Sequence, residues 1–188
     1  MYLIFDTETT GFIKQNADHD AQPYMVQLAG LLLSETGEEL DAFECIVKRD
    51  GWEIPQKVAE IHGITNERSD LEGIPLADAI AMFDRLVTHD EAKVLVAHNI
   101  DFDIVVVGAA YHRAGLPPKH TLMERICTMK RLTDVVGATK SNGQKKWPKL
   151  METHTYYFGE GFDDAHSALA DVRATGRCLM EALKRGDL

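Results

Sequence analysis

The order of the apolar stretches is the feature that most constrains the fold of this chain. Three stretches of strand length come first, at residues 1–5, 25–33 and 39–47, and the last two are separated by a turn signal at 35–37. They predict three antiparallel strands. Two further strands are predicted at 93–97 and 124–127, and they are separated from the first three and from each other by helical patterns. This order predicts an α/β protein with a central five-stranded mixed sheet flanked by helices.

Helical spacing of apolar residues predicts helices at 55–61, 75–87 and 148–158, and residues 140–149 are predicted to form a loop. Asn99 is a suitable N-cap for another helix, which runs to Ala114 and ends at Gly115. The closing helix is predicted from a set of positions at helical spacing: Ala168, Leu169, Val172, Thr175, Leu179 and Leu183.

Size and composition limit the class of protein. The chain has 188 residues, of which 45% are hydrophobic, and this favours a single domain spanning residues 1–188. It contains no apolar run of membrane-spanning length, and its first residues lack the pattern of a signal peptide. We therefore expect a soluble, cytoplasmic protein with no membrane partner. Its three cysteines are widely spaced, which argues against a zinc site or a disulfide framework.

The formal net charge of −10 argues at first against a nucleic-acid partner, because such binding depends on Lys and Arg. The positive charge is segregated, however. Residues 104–150 carry nine Lys or Arg and only two acidic residues. Four of these lysines fall in the predicted loop: Lys140, Lys145, Lys146 and Lys149. The segment is compatible with a phosphate-contacting ridge beside an acidic site and, equally, with an ordinary solvated loop.

A first acidic motif, Asp6-Thr7-Glu8-Thr9-Thr10-Gly11, follows the first apolar stretch. Side chains alternate along an extended chain, so Asp6 and Glu8 project from the same face. Two neighbouring carboxylates repel each other unless a proton or a cation lies between them, and hard cations such as Mg²⁺ or Mn²⁺ prefer oxygen ligands. The pair is suited to a metal site, but on this motif alone a solvated strand end is the favoured interpretation.

The second motif, residues 98–103, lies where a predicted strand is followed by a helix. Asp103 falls about one turn into that helix and is predicted to point toward the end of the sheet. Asp101 is the competing candidate, with a favourable interaction with the helix dipole as its ordinary role. His98 is interpreted as a hydrogen-bonded structural histidine rather than a metal ligand.

The third motif, residues 163–171, leads into the closing helix. Asp171 lies between the apolar residues Leu169 and Val172, which keep it near the core. His166, five residues earlier, is placed to approach a metal-held water. The alternative is that Asp163 and Asp164 cap the helix while His166 is merely exposed.

Together, the three motifs and their order resemble the DEDDh branch of the DnaQ-like exonucleases. The phrase at 166–171, His-Ser-Ala-Leu-Ala-Asp, is similar to the third motif of that family, and the phrase at 61–65 is similar to its linker between sheet and helices. The resemblance implies an RNase H-like fold and two divalent metal ions, Mg²⁺ or Mn²⁺. It also implies that the metal ligands are Asp6, Glu8, Asp103 and Asp171, with His166 as general base.

The activity implied by the resemblance is a metal-dependent 3′-to-5′ exonuclease that releases nucleoside 5′-monophosphates from single-stranded 3′ ends of DNA. Its expected substrate contacts are backbone groups of Thr7, Thr9 and Thr10, the ring of Phe12, and the four loop lysines. Core packing is the competing interpretation for Phe12. Because no tethering tail follows the last helix, autonomous action and partnership with a DNA polymerase both stay open.

Two other functions remain to be distinguished. One is an exoribonuclease acting on RNA ends or short oligonucleotides, since no motif reports on the 2′-hydroxyl. The other is a catalytically silent nucleic-acid-binding subunit with the same fold, against which the presence of all five expected polar residues argues. A P-loop or Rossmann nucleotide-binding protein is excluded because neither glycine motif occurs.

Overall fold

The computed structural model describes residues 1–89, 92, 94–163, 165 and 167–188. Five strands form one sheet: β1 (Tyr2–Thr9), β2 (Met25–Leu33), β3 (Glu39–Ile46), β4 (Val94–Ala97) and β5 (Glu124–Cys127). Their order across the sheet is β3-β2-β1-β4-β5. Strands β1, β2 and β3 pair antiparallel, whereas β4 is parallel to both β1 and β5. The predicted five-stranded mixed sheet is confirmed, and β1 lies at its centre.

Strand β1 is longer than predicted. The apolar stretch indicated an end at Phe5, but the strand continues through Thr9 because its polar residues pair with β2, with Glu8 opposite Gln27. The first four residues of the acidic motif, Asp6–Thr9, are therefore part of the strand, as the extended conformation expected for Asp6 and Glu8 requires. This places both carboxylates at fixed positions of the pleat.

Eight helices are present in the described chain: α1 (Gln56–His62), α2 (Asn66–Glu72), α3 (Leu76–Val87), α4 (Ile100–Ala114), α5 (Thr128–Arg131), α6 (Thr133–Val136), α7 (Leu150–Phe158) and α8 (Ala168–Arg185). The helices predicted near 55–61, 75–87, 100–114 and 148–158 are confirmed, as is the closing helix. Helices α2, α5 and α6 were not predicted. Helix α2 follows Thr65, whose hydroxyl accepts a hydrogen bond from the Arg68 N–H.

Asn99 precedes α4 as predicted, but it does not cap the helix through its side chain. Its backbone is left-handed, with φ of 84°, and its side chain makes no capping hydrogen bond. The residue serves as a sharp corner between β4 and α4, a conformation that asparagine tolerates better than most residues. At the other end of the helix, Gly115 ends α4 in the left-handed conformation, as predicted.

The two faces of the sheet are covered by different helices. Leu3 and Phe5 of β1 belong to the larger hydrophobic core, which includes residues of α3 and α4. Ile4 belongs to a second core with Val172 and Leu179 of α8. The alternation of side chains along β1 therefore assigns odd-numbered positions to the α3–α4 face and even-numbered positions to the α8 face.

Helix α8 packs closely on β2. A Cβ added at Gly176 would lie 2.9 Å from Leu33 Cδ1, so a larger residue at this position would force the Leu33 side chain to move.

Among the helices of the described residues, none combines the length and the apolar character that crossing a membrane requires.

Candidate functional site

The candidate site lies where β1 extends past its parallel neighbour. The pairing of β1 with β4 reaches Ile4 opposite Val96, whereas its pairing with β2 continues to Thr9. After β4 ends at Ala97, the chain turns at Asn99 and enters α4. The last residues of β1 therefore face the first turn of α4 along one edge and α8 across one face.

Three carboxylates meet on the α8 face of β1. Asp6 and Glu8 share that face with Ile4, and Asp171 comes from the first turn of α8. One oxygen from each of these three side chains lies within 4.8 Å of the other two. Asp6, Glu8 and Asp171 are all partly buried. An oxygen-only donor set of this kind, with high negative charge and little solvent, fits a hard divalent cation.

A fourth carboxylate, Asp103, approaches from the other side of β1. Its side chain is 2% exposed, and its Oδ1 accepts hydrogen bonds from the Thr7 N–H at 3.1 Å and the Thr7 hydroxyl at 2.8 Å. Thr7 is an odd-numbered residue of β1, so its side chain faces α4. The pleat of β1 thus presents two carboxylates to α8 and uses the residue between them to hold a carboxylate of α4.

Burial raises the pKa values of Asp6, Glu8 and Asp103, and neighbouring negative charges raise those of Asp6 and Glu8 further. Desolvation is the largest cause for Asp6, whose pKa lies well above its usual value, followed by the charges of Asp103, Asp171 and Glu8. Desolvation, followed by the charges of Asp171 and Asp103, raises the pKa of Glu8 to about 8. Burial raises the pKa of Asp103 to about 7, against the hydrogen bonds from Thr7, which lower it. Such a cluster is stabilised by protons or by cations.

Side chains from β2 and β3 hold the start of α8. Gln27, which is 5% exposed, accepts a hydrogen bond through Oε1 from the Ala168 N–H at 3.2 Å. Glu44 Oε1 accepts from the Leu169 N–H at 3.0 Å and from the Ser167 hydroxyl at 3.1 Å. The N-cap residue is Ser167, so Asp163 does not cap this helix as the alternative interpretation supposed. These contacts fix the helix turn that carries Asp171, directly beside Glu8.

Two other candidates of the second motif lie away from the carboxylate cluster. Asp101 is exposed and forms an ion pair with Lys130. His98 Nε2 donates to the Pro148 carbonyl at 3.0 Å, and its Nδ1 lies 3.0 Å from the Thr128 hydroxyl. Burial lowers the pKa of His98 to about 4, so it is neutral at pH 7. This agrees with the interpretation of His98 as a structural histidine.

The expected substrate contacts of the first motif have their own partners in the structure. Thr9 is buried, and its hydroxyl donates to the Gly11 carbonyl at 2.7 Å. The Thr10 hydroxyl accepts from the Tyr24 N–H at 2.9 Å. Phe12 is 92% exposed, which removes core packing as its role. Its ring is therefore free to contact a ligand near the end of β1.

The four loop lysines lie between α6 and the start of α7 and are not part of the carboxylate cluster. Lys140, Lys145 and Lys149 are exposed, while Lys146 is partly buried. Lys145 forms an ion pair with Asp134, and Lys146 forms one with Glu152 in which Nζ lies 2.7 Å from Oε1. Their positive charge is thus partly compensated within the segment.

Two residues named from the third motif, Asp164 and His166, lie outside the described residues. Sequence reasoning named Thr7 but missed the support that it gives to Asp103, and it missed Gln27 and Glu44, which anchor α8. The alternation along β1 could have indicated the first. The other two depend on strand pairing, for which the sequence has no local signal.

Comparison with known proteins agrees with this geometry. The family model RNase_T, described as exonuclease, matches residues 3–179. The chain belongs to this exonuclease family. The PolC-type DNA polymerase III of Lactococcus lactis is 27% identical over 187 residues, which are 97% of this chain and 10% of that protein. The corresponding protein of Streptococcus pyogenes serotype M1 is 28% identical over 188 residues, or 97% of this chain and 11% of that protein.

Solved structures show the same fold. Exonuclease I of E. coli in complex with a dA16 oligonucleotide superposes with a TM-score of 0.79 at 22% identity, covering 98% of this chain and 41% of that chain. Exonuclease I of Methylocaldum szegediense gives 0.77 at 21% identity, covering 98% and 40%. The RNase H-like exonuclease fold expected from the motifs is confirmed. The chain spans about a tenth of the length of its curated relatives and about two fifths of these structures.

Proposed function

We propose that residues 1–188 form one exonuclease domain that hydrolyses DNA from its 3′ end and releases nucleoside 5′-monophosphates. The observation that carries the proposal is the meeting of Asp6, Glu8 and Asp171 within 4.8 Å, in a chain of the exonuclease family. The raised pKa values of Asp6 and Glu8 support a site that requires cations. The similarity to PolC-type DNA polymerases and to Exonuclease I supports DNA as the substrate.

In this mechanism Asp6, Glu8, Asp103 and Asp171 would hold two divalent ions, Mg²⁺ or Mn²⁺. The chemistry that such ions would supply is activation of the attacking water and stabilisation of the leaving 3′ oxygen. Thr7 keeps Asp103 in place through its two hydrogen bonds. Gln27 and Glu44 keep the first turn of α8 against β1.

His166 is proposed as the general base. An imidazole accepts a proton close to neutral pH, so it can take the proton of the attacking water. The water oxygen forms a bond to phosphorus, the bond between phosphorus and the 3′ oxygen breaks, and a proton completes the new 3′-hydroxyl. Backbone groups of Thr7, Thr9 and Thr10 and the exposed ring of Phe12 are proposed to seat the terminal nucleotide near the end of β1.

We further propose a cytoplasmic location and a DNA polymerase as a partner in proofreading or repair. The support is the similarity to one segment of PolC-type polymerases, in which the matched part is about a tenth of the protein. Co-purification of the chain with a replicative polymerase, compared with its purification alone, distinguishes partnership from autonomous action.

The decisive experiment compares end-labelled single-stranded DNA, duplex DNA and RNA, each with Mg²⁺, Mn²⁺ or EDTA. We expect mononucleotide ladders that start at the 3′ end, require a metal and stop at a blocked 3′ terminus. Asp6→Asn, which should remain folded, serves as the inactive control. Preference for RNA would instead indicate the exoribonuclease, and binding without hydrolysis would indicate the silent subunit. Cutting of circular single strands, or turnover in EDTA, would refute the proposal.

A second experiment separates His166 from the metal ligands. His166→Ala should retain Mn²⁺ binding by calorimetry while single-turnover rates fall by a factor of about 10²–10⁴. In this variant the fall of the rate at acidic pH should shift to another pH or disappear. Asp171→Asn should lose metal affinity itself, since it removes charge from the coordination shell. Wild-type rates in His166→Ala, or a loss of metal as severe as in Asp171→Asn, would contradict the assignment of the base.

A further inference from the structure

Trp147 is a large aromatic side chain that the structure leaves open to solvent. It is 61% exposed, whereas the other tryptophan of the chain, Trp52, is 9% exposed and belongs to the larger core. A single exposed apolar residue is ordinary on a protein surface. The surroundings of Trp147 therefore decide whether it has a role.

Those surroundings are basic. Trp147 lines a surface cavity of about 370 Å³ together with Thr133, Lys140, Lys145 and Lys146. The ammonium group of Lys130 lies 5.9 Å from the centroid of the Trp147 ring. An open aromatic face ringed by four lysines is thus present on a chain whose formal net charge is −10.

The lysines around this cavity are not equally available to bind a phosphate. Lys145 is paired with Asp134, Lys146 with Glu152 and Lys130 with Asp101. Lys140 forms no ion pair with any residue that the structure describes. The carboxylate partners of Lys145 and Lys130 are exposed, so a phosphate that approaches can replace them at little cost.

The position of Trp147 links it to the carboxylate site. The carbonyl of the next residue, Pro148, accepts the hydrogen bond from His98, which lies at the end of β4. Lys130, which reaches the Trp147 ring, also reaches Asp101 in the first turn of α4. Asp101 lies two residues before Asp103. The aromatic ring is therefore anchored beside the same helix turn that carries one of the four carboxylates.

We propose that Trp147 and the lysines around it form a platform on which one nucleobase of a single-stranded nucleic acid stacks, upstream of the end held at the carboxylates. This inference rests on the proposed function, because that function places the 3′ end near β1. Proteins that bind single strands without reading sequence combine aromatic rings, on which bases stack, with basic side chains that follow the phosphates. The platform adds affinity for longer strands and no base preference.

The platform is tested by binding measurements in EDTA, so that the strand is not cut. The variants are Trp147→Ala, Trp147→Phe and, as a matched control, Leu122→Ala. Leu122 is 98% exposed and lies two residues before the start of β5, whereas Lys130, which reaches the Trp147 ring, follows the other end of that strand. The probes are a dT dodecamer and a dT dinucleotide. Because Trp52 is buried and Trp147 is exposed, a change in tryptophan fluorescence on contact with the strand reports mainly on Trp147.

We expect the dodecamer, but not the dinucleotide, to quench the fluorescence. Trp147→Ala should bind the dodecamer about 5- to 100-fold more weakly, Trp147→Phe should recover most of that loss, and Leu122→Ala should bind normally. With Mg²⁺, Trp147→Ala should raise KM for the dodecamer and leave kcat unchanged.

Other outcomes separate the two proposals. If the wild type degrades DNA while Trp147→Ala binds and cuts the dodecamer normally, the platform is wrong and the exonuclease stands. If no strand is cut but the quenching and the loss in Trp147→Ala are present, the platform stands and the exonuclease is wrong. If Trp147→Ala changes only self-association in sedimentation, the ring belongs to a protein contact and the platform is overturned.

Discussion

The carboxylate cluster and the lysine-bearing loop have opposite charges, and the chain also holds them in opposite ways. Asp6, Glu8 and Asp171 come from two separate elements and meet within 4.8 Å while partly buried, and Asp103 of a third element is buried beside them. The lysines follow one another within ten residues and are mostly exposed. Charge interactions are strong in the first environment and screened in the second. The effects of substitutions in the two regions should therefore differ in magnitude and in kind.

The largest effect in this comparison is expected for Thr7→Val, which removes one hydrogen bond to Asp103 while keeping the shape of the side chain. Outer partners of metal ligands typically contribute about 10–100-fold in metal affinity or activity. Because the Thr7 bonds lower the pKa of Asp103, their loss should shift the pH midpoint of Mn²⁺ binding upward. Calorimetry at several pH values measures this shift. Thr7→Ser restores the hydroxyl, so a Ser variant as poor as Val would argue against the hydrogen bond as the cause.

A smaller effect is expected for Gln27→Ala. The Ala168 N–H loses its partner, and an unsatisfied buried donor costs about 1–3 kcal/mol. We expect lower stability in chemical denaturation together with weaker metal binding, because the first turn of α8 carries Asp171. Glu44→Ala, in the neighbouring strand, is the matched comparison. It leaves the Leu169 N–H without its partner, and Leu169 is less buried than Ala168. Loss of stability in Gln27→Ala without any change in metal affinity would limit Gln27 to a structural role.

Glu8→Gln should stabilise the metal-free protein at alkaline pH. The pKa of Glu8 is raised to about 8 in the folded chain from an ordinary value of 4.5. A raised folded pKa contributes stability that is complete below pH 4.5 and is lost as the pH rises through 8. The variant cannot ionise at this position and avoids that loss. Thermal unfolding in EDTA should show a higher Tm than wild type near pH 9, by about 2–4 °C for each kcal/mol, and little difference near pH 4.5.

The same experiment with Mg²⁺ provides the control for Glu8→Gln. A cation relieves the repulsion in the wild type, so the advantage of the variant should vanish or reverse when the metal is added. A variant that is less stable than wild type in EDTA at pH 9 would show that Glu8 has favourable contacts that outweigh the repulsion.

The smallest effect is expected for single lysines of the loop. Lys140→Ala should raise KM for long single strands a few-fold and flatten its dependence on salt, since about one phosphate contact is lost. Lys145→Ala should change KM less, because Lys145 is already paired with Asp134. Steady-state kinetics at two salt concentrations on a dodecamer and a dinucleotide measure both variants. Equal kinetics for wild type, Lys140→Ala and the variant with all four lysines replaced by Ala would assign the segment to the ordinary solvated loop.

The sequence predicted elements well where apolar residues set the pattern. The bounds of β2 agree with the prediction because it follows a clear apolar stretch, and the bounds of β5 agree although that segment contains Glu124 and Arg125. Helix α2 was missed because its one large apolar residue, Leu71, is 86% exposed, so no buried stripe marks the helix. The end of β1 was missed because its last residues are polar and owe their extended form to β2.

The candidate site was predictable to a similar degree. The acidic residues were found because their types and order form motifs, and the structure then separates Asp103 from Asp101 by burial and by the bonds to Thr7. The anchoring of α8 by Gln27 and Glu44 could not be predicted, since it requires the register of β2 and β3 and the docking of a helix more than 120 residues away.

The separation along the chain between β1 and α8 has a consequence for folding. Thr7 and Asp103 are 96 residues apart, and Gln27 and Ala168 are 141 residues apart. Contacts of such long range form late, because closing a large loop costs entropy before any contact repays it. During synthesis, a nascent chain that has made β1 through α4 still lacks Asp171. Asp171 therefore joins Asp6 and Glu8 only after α8 has docked, so the candidate site is assembled late in the folding of residues 1–188.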